Sequence, residues 1–188
     1  MATDATITAA AADGATQRYT RVAIWLHWII GLAVIANIGL AMLSEGAERA
    51  TRMAAMNVHK PLGITILALT VALILWRMGH RPPPPPAGMP AWQRPVSRIV
   101  HWLFYALLIL LPLSGWVWFS AADRAIDFFG LFTLPAIAAP DEALADTLHD
   151  RHKALGVAML ALVVLHILAA LKHQFVDRTG LIGRMNPF

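Results

Sequence analysis

Four long apolar stretches constrain the fold of this chain more than any other feature. They run over Val22–Leu43, Leu62–Met78, Ile99–Ser120 and Ala154–Leu171. Each is close to the ~17–25 residues that a helix needs to cross the hydrocarbon core of a bilayer. Only 14% of the residues are charged, against roughly 25% in an ordinary soluble domain. The sequence therefore predicts an all-α protein, an integral membrane four-helix bundle.

The segments outside these stretches predict the domain organisation. Residues 1–17 are rich in Ala and Thr and lack a hydrophobic period, which indicates a mobile N-terminal tail. Residues 18–176 form the predicted transmembrane domain, and residues 177–188 form a C-terminal tail. The proline run that follows Arg81 predicts a stiff spacer between the second and third helices.

Helix boundaries are predicted from breakers and caps. Residues 44–57 form a short external connection, helical or not, and His59 marks the start of the second helix. Pro61 suits the first turn of that helix, where its missing N–H costs nothing. Pro112 predicts a kink in the third helix. Asp141 is a predicted cap that lets the fourth helix begin as early as Glu142.

The basic residues predict the orientation. Nine of the fifteen Lys and Arg residues lie before the first helix, between the second and third, or after the fourth, and six lie on the other side. The positive-inside rule then predicts that both termini are cytoplasmic. Because these charges flank membrane spans, the high pI of about 10.1 reflects topology and does not predict nucleic-acid binding. There is no cysteine, which excludes thiolate metal sites and covalent c-type haem attachment.

Four histidines in the apolar helices match in depth as two pairs. His152 and His166 are fourteen residues apart in the sequence, so they share one helix face and lie roughly 21 Å apart along the axis. If consecutive helices are antiparallel, His27 is level with His166 and His59 is level with His152. Neutral imidazole is a standard axial ligand of haem iron. The pattern predicts two bis-histidine haems stacked across the bilayer, with pairs His27/His166 and His59/His152.

Two other interpretations of these histidines remain open. A single histidine in a membrane helix can simply hydrogen-bond a neighbouring helix, and a histidine-lined metal or proton transporter would give a colourless protein. His149 is a rival for the outer pair, but it lies about 100° away from the face of His166. Ionisable groups at membrane depth usually mark function, and carboxylates and lysines are nearly absent from the apolar cores.

Further residues are candidates for substrate contacts. His101 and His173 fall at the same membrane boundary, where they form a candidate quinone site or merely anchor helices. Lys60, Arg151 and Lys153 are candidates for steering an anion or for binding haem propionates. Glycines four positions after three of the predicted ligands clear space for a porphyrin: Gly31, Gly63 and Gly156.

The order of these motifs resembles the prokaryotic cytochrome b561 family. The first helix contains Arg21-x5-His-Trp, and the second begins with Asn57-Val-His-Lys-Pro-x-Gly. The third contains His101, Tyr105 and the run Leu-Pro-Leu-Ser-Gly. The fourth contains His152-Lys-x2-Gly-x9-His166-x6-His173. The resemblance covers residues 18–176.

The resemblance implies haem b held by His27 with His166 and by His59 with His152, and electron exchange with ubiquinone. Some members are similar to a superoxide oxidase, which takes electrons from superoxide at the periplasmic face and reduces quinone in the membrane. Others are cytochrome b subunits that anchor a hydrogenase or dehydrogenase, so a protein redox partner is the alternative. Neither role implies nucleic acid as a partner.

Overall fold

Four helices form the protein in a computed structural model that describes residues 18–85 and 90–188. The predicted N-terminal tail, residues 1–17, lies outside the described residues. The helices are α1 (Arg21–Ser44), α2 (Arg49–Gly79), α3 (Gln93–Ala121) and α4 (Glu142–Phe175). All four are long and apolar enough to cross a membrane. The predicted all-α architecture is confirmed, with four helices that are capable of spanning a membrane.

The helices pack as two antiparallel hairpins. Helix α1 packs on α2 and α3 packs on α4, while a smaller contact between α2 and α3 joins the hairpins. The shared core is small and apolar; its buried members are Ala23, Ile30, Val34, Ile66, Leu73, Leu108 and Met159. Large apolar side chains point outwards instead, such as Leu32 and Leu165, which are 63% and 62% exposed. Lipid covers such a surface, because apolar patches of this size are unfavourable in water.

One end of the bundle carries both the first described residues and the C-terminal residues, and we call it the proximal end. There Trp28 Nε1 donates to the Met185 carbonyl at 2.8 Å, and Arg184 donates to the Pro84 carbonyl at 2.9 Å. A short 3₁₀ helix, Ile182–Met185, lies in this segment. The opposite end, which carries the connection between α3 and α4, is the distal end.

Helix α2 begins earlier than the sequence predicted. It starts at Arg49 rather than near His59, so His59 and Pro61 lie inside the helix. The reason is local: the preceding residues include Ala, Arg and Met, which are strong helix formers. The helix therefore continues beyond the apolar stretch, and at 31 residues it is about 46 Å long. Pro61 is buried, and its carbonyl accepts a 2.9 Å hydrogen bond from Thr65 Oγ1.

The connection between α3 and α4 folds over the distal end. It contains two strands of two residues, β1 (Asp127–Phe128) and β2 (Phe132–Thr133), paired as an antiparallel hairpin that the sequence did not predict. The hairpin packs on α2. The predicted start of α4 is confirmed: Asp141 accepts a 2.9 Å hydrogen bond from the Leu144 N–H and caps the helix.

Candidate functional site

Two pairs of imidazoles lie between the hairpins, one towards each end of the bundle. At the proximal end the rings of His27 and His166 have centroids 6.1 Å apart, with planes at 64°. At the distal end the rings of His59 and His152 are 6.2 Å apart, with planes at 81°. Helical periodicity explains why one helix serves both pairs, because fourteen residues return almost to the same face of α4.

The separation of the rings fits a metal centre between two axial imidazoles. An imidazole nitrogen binds a first-row metal at about 2 Å, and it lies roughly 1.1 Å from the centre of its own ring, so two axial rings have centroids about 6.3 Å apart. The observed 6.1 and 6.2 Å are close to this value. Directly hydrogen-bonded imidazoles would be closer, since an N···N contact of about 3 Å gives roughly 5.2 Å between centroids.

Both imidazole pairs bridge helices whose backbones do not pack closely. His27 and His166 connect α1 with α4, and His59 and His152 connect α2 with α4. Neither helix pair is among the closely packed ones of the described bundle. The space that separates these helices is therefore crossed by imidazoles, as expected for a flat cofactor seated between the two hairpins.

Two of the glycines expected to clear space do face open space. A Cβ built on Gly31 or on Gly156 would meet nothing within 4 Å, whereas one on Gly63 would lie 3.6 Å from Asn37 Nδ2. Gly31 and Gly156 follow His27 and His152 by one helical turn. Open space beside both pairs fits a macrocycle that approaches the backbone closely.

Hydrogen bonds fix the distal rings in one tautomer. His59 Nδ1 lies 3.1 Å from the Asn37 carbonyl oxygen, and His152 Nδ1 lies 3.1 Å from the Leu111 carbonyl oxygen. A carbonyl only accepts, so Nδ1 is the donor in both rings and Nε2 keeps its lone pair. This is the arrangement by which proteins orient metal-binding histidines.

Ser114 and Gly115 shape the position of the His152 ring. Ser114 Oγ lies 3.0 Å from His152 Nδ1 and donates to the Leu111 carbonyl at 2.7 Å. A Cβ on Gly115 would lie only 3.1 Å from Cε1 and 3.3 Å from Nδ1 of the same ring. Any other residue at this position would require the imidazole or α3 to shift by a few tenths of an ångström.

We expect Ser114→Ala to keep haem at both pairs while weakening its retention at the distal one. Losing an outer hydrogen-bond partner typically lowers the affinity of a metal site by about 10–100-fold, and the remaining Leu111 carbonyl favours the lower value. The measurement is the rate of haem transfer to an acceptor protein. Ser44→Ala is the control, because among the described residues Ser44 Oγ bonds the Ala41 carbonyl of its own helix and no imidazole. Equal transfer rates in both variants would contradict a role for Ser114.

The two candidate quinone histidines occupy different surroundings. His101 is exposed on α3 and its ring centroid lies 6.3 Å from that of His166, so it borders the proximal pair. His173 is partly buried, and its Nδ1 lies 2.8 Å from Asp177 Oδ2. Hydrogen bonds from Lys172 lower the pKa of the Asp177 carboxyl. The described contacts do not bring His101 and His173 together.

The candidate cations lie at the distal end in varied settings. Lys60 is partly buried with its Nζ 5.0 Å above the Phe119 ring. Lys153 Nζ lies 3.5 Å from Glu45 Oε1, and Arg151 is exposed. The rival His149 packs on Trp118, with ring centroids 4.7 Å apart, and it lies next to Asp150.

Sequence reasoning missed the carbonyls of Asn37 and Leu111 and the roles of Ser114 and Gly115. The run Leu-Pro-Leu-Ser-Gly in α3 was a signal, because a small polar residue followed by glycine in a membrane helix favours close contact. It predicted a kink and gave no indication of which imidazole it contacts. Among the described residues, no three His, Cys, Asp or Glu side chains form a group that could hold a metal ion.

The chain is similar to known proteins over most of its length. The family profile described as "Prokaryotic cytochrome b561" matches residues 18–187. Cytochrome b561 homolog 2 of Escherichia coli (strain K12) is 30% identical over 171 residues, which are 90% of this chain and 91% of the relative. The probable superoxide oxidase CybB of Yersinia pestis is 29% identical, over 91% and 97% of the two chains. Cytochrome b561 homolog 1 of Escherichia coli (strain K12) is 26% identical, over 91% and 98%.

Proposed function

The chain belongs to the prokaryotic cytochrome b561 family of membrane haem b electron-transfer proteins, and on that premise we propose that it is a superoxide:ubiquinone oxidoreductase with two haems b. His27 and His166 would hold one haem, and His59 and His152 the other. Haem b held in this way supplies reversible one-electron transfer. The observation that carries the proposal is the pair of ring separations, 6.1 and 6.2 Å, between helices that do not otherwise pack closely.

The residues of the chain hold and tune the cofactors. At the distal pair the Nδ1 atoms of His59 and His152 each donate to a backbone carbonyl. Such bonds fix the orientation of the ring and raise its basicity as a ligand. A haem held by two histidines would favour electron transfer over binding of oxygen at the metal.

Superoxide would react at the distal end, which the positive-inside rule predicts to lie on the periplasmic side of the bacterial inner membrane. Lys60, Arg151 and Lys153 are the cations that would attract the anion there. Lys153 remains 60% exposed although it lies beside Glu45. Six acids flank these cations in the sequence between residues 123 and 150. Attraction of superoxide therefore requires that the cations, rather than these acids, determine the local potential.

Ubiquinone would be reduced at the proximal end, beside His101. Its ring borders His166 and is exposed, so it is placed to hydrogen-bond a quinone carbonyl at the membrane boundary. His173 is a second polar group at this end. The overall reaction balances: two superoxide anions each lose one electron and leave as dioxygen, while one ubiquinone gains two electrons and two protons and leaves as ubiquinol.

The second candidate is a relay subunit that passes electrons between a dehydrogenase or hydrogenase partner and quinone. Acidic side chains at the distal start of α4 favour it, because they are exposed and could form a docking surface; these are Asp141, Glu142, Asp146 and Asp150. The family includes such subunits, so family membership alone does not select the electron donor.

Supplying a pulse of superoxide to the purified protein tests the proposal. We expect haem reduction that outpaces the spontaneous disappearance of superoxide, followed by reoxidation when ubiquinone is present. Lys153→Glu should slow the reduction severalfold, since it reverses a charge at the distal end, whereas Arg94→Glu, exposed at the proximal end, should not. No reduction by superoxide, with a redox subunit that copurifies, would establish the relay function instead.

A further inference from the structure

Arg77 is a partly buried cation near the proximal end of α2. It lies two residues before Gly79, the last residue of that helix. Its Nε is inaccessible to solvent and has no hydrogen-bond partner within the described part of the chain. The neighbouring Trp76 bonds Thr20 Oγ1 through its indole N–H at 2.9 Å, which holds this turn of α2 against the start of α1.

Aromatic rings surround the guanidinium. Its carbon lies 5.6 Å from the centroid of the Tyr19 ring and 5.9 Å from that of the Tyr105 ring. Such cation–π contacts attract the guanidinium to the ring faces, but they leave the positive charge without an anion. Tyr19 precedes α1 and Tyr105 lies on α3, so Arg77 points towards the space enclosed by three helices rather than towards lipid.

The chain offers no acid to Arg77 in the described residues. Eight of the nine acidic residues in this part of the sequence lie at the distal end. The ninth, Asp177, already contacts Lys172 and His173. A cation withdrawn from water near a membrane is unfavourable unless an anion or a set of hydrogen-bond acceptors compensates it. No carboxylate side chain among the described residues pairs with Arg77, so a bound ligand is the candidate for its anion.

The position of Arg77 indicates which anion this is. Tyr105, which Arg77 contacts, lies one helical turn after His101 on α3. The His101 ring in turn lies 6.3 Å from the His166 ring, so Arg77 is close to the proximal imidazole pair. A haem held there carries two propionate carboxylates, and arginine binds carboxylates in a bidentate geometry. We propose that Arg77 binds a propionate of the proximal haem and raises the reduction potential of that haem. This inference rests on one part of the proposed function, the binding of a haem by His27 and His166.

Redox titration of the two haems in Arg77→Gln and Arg77→Lys tests the inference. We expect Arg77→Gln to retain both haems and to lower the potential of one. At a fixed potential its reduced-to-oxidised ratio should fall about tenfold, because a nearby positive charge favours the reduced form of a haem by Coulomb attraction. Arg77→Lys keeps the charge and should show a smaller shift. Arg98→Gln, an exposed arginine at the same end, should show none.

The shifted haem must be the one that remains in His152→Ala, because that variant lacks the distal pair. Unchanged potentials in Arg77→Gln, or equal shifts of both haems, would overturn the inference while leaving the proposed function intact.

A second redox titration, in nanodiscs of anionic lipid and of neutral lipid, tests whether the anion that binds Arg77 is a lipid phosphate. A potential that depends on anionic lipid in the wild type and not in Arg77→Gln would assign Arg77 to a phospholipid phosphate instead. If Arg77→Gln loses one haem and Arg77→Lys keeps both, the inference is supported. Absence of haem from the wild-type protein would contradict the proposed function itself.

Discussion

His152→Ala should halve the haem content of the purified protein, from two haems per polypeptide to one. The variant removes one imidazole of the distal pair and leaves His59 alone, whereas His27 and His166 keep their 6.1 Å separation. His59→Ala should have the same effect, because the two rings serve one site. His27→Ala and His166→Ala should each remove the other haem. The measurement is the pyridine haemochrome content divided by the protein concentration.

Double variants test whether the histidines bind haem in the proposed pairs. His59→Ala with His152→Ala should lose no more haem than either change alone, while His152→Ala with His166→Ala should lose both haems. His101→Ala provides the control, since His101 borders His166 at nearly the same distance as His27 does, 6.3 against 6.1 Å. If His101→Ala loses a haem and His27→Ala does not, the ligand of the proximal haem is His101 and the proposed pairing is wrong.

Gly115→Val should remove the distal haem although it replaces none of the proposed haem ligands. Even the first carbon of the new side chain would lie 3.1 Å from the His152 ring. The ring cannot move away easily, because its Nδ1 is held by the Leu111 carbonyl and by Ser114. Overpacking of this kind typically costs about 1–3 kcal/mol, and the ring can avoid it only by leaving the position that faces His59. We expect one haem per polypeptide and an unchanged proximal spectrum.

Ala106→Val is the matched control for Gly115→Val. It adds bulk to the same helix at an exposed position, so both haems should remain. Retention of two haems in Gly115→Val, with normal potentials, would show that the distal ring tolerates a side chain on α3. General misfolding would appear as loss of both haems, and helical circular dichroism distinguishes that outcome from selective loss.

The N-terminal boundary of α2 was predicted wrongly from the sequence. The apolar stretch begins at Leu62, and with Pro61 in the first turn the sequence predicts a helix start near His59. The helix instead begins at Arg49. Helix propensity and membrane hydropathy are separate properties, and residues that favour a helix extend it into water beyond the bilayer. The error shifted the helix boundary but left the position of His59 on its helix face unchanged.

The sequence by itself determined the features that depend on residues close together in the chain. Apolar length produced four spans, the fourteen-residue spacing put His152 and His166 on one face, and Asp141 capped α4. The tertiary structure decided the contacts between helices. Gly115 against His152 and Arg77 between two tyrosines join residues that are far apart in sequence. Such contacts depend on the rotation and depth of each helix against its neighbours, and helical periodicity fixes neither.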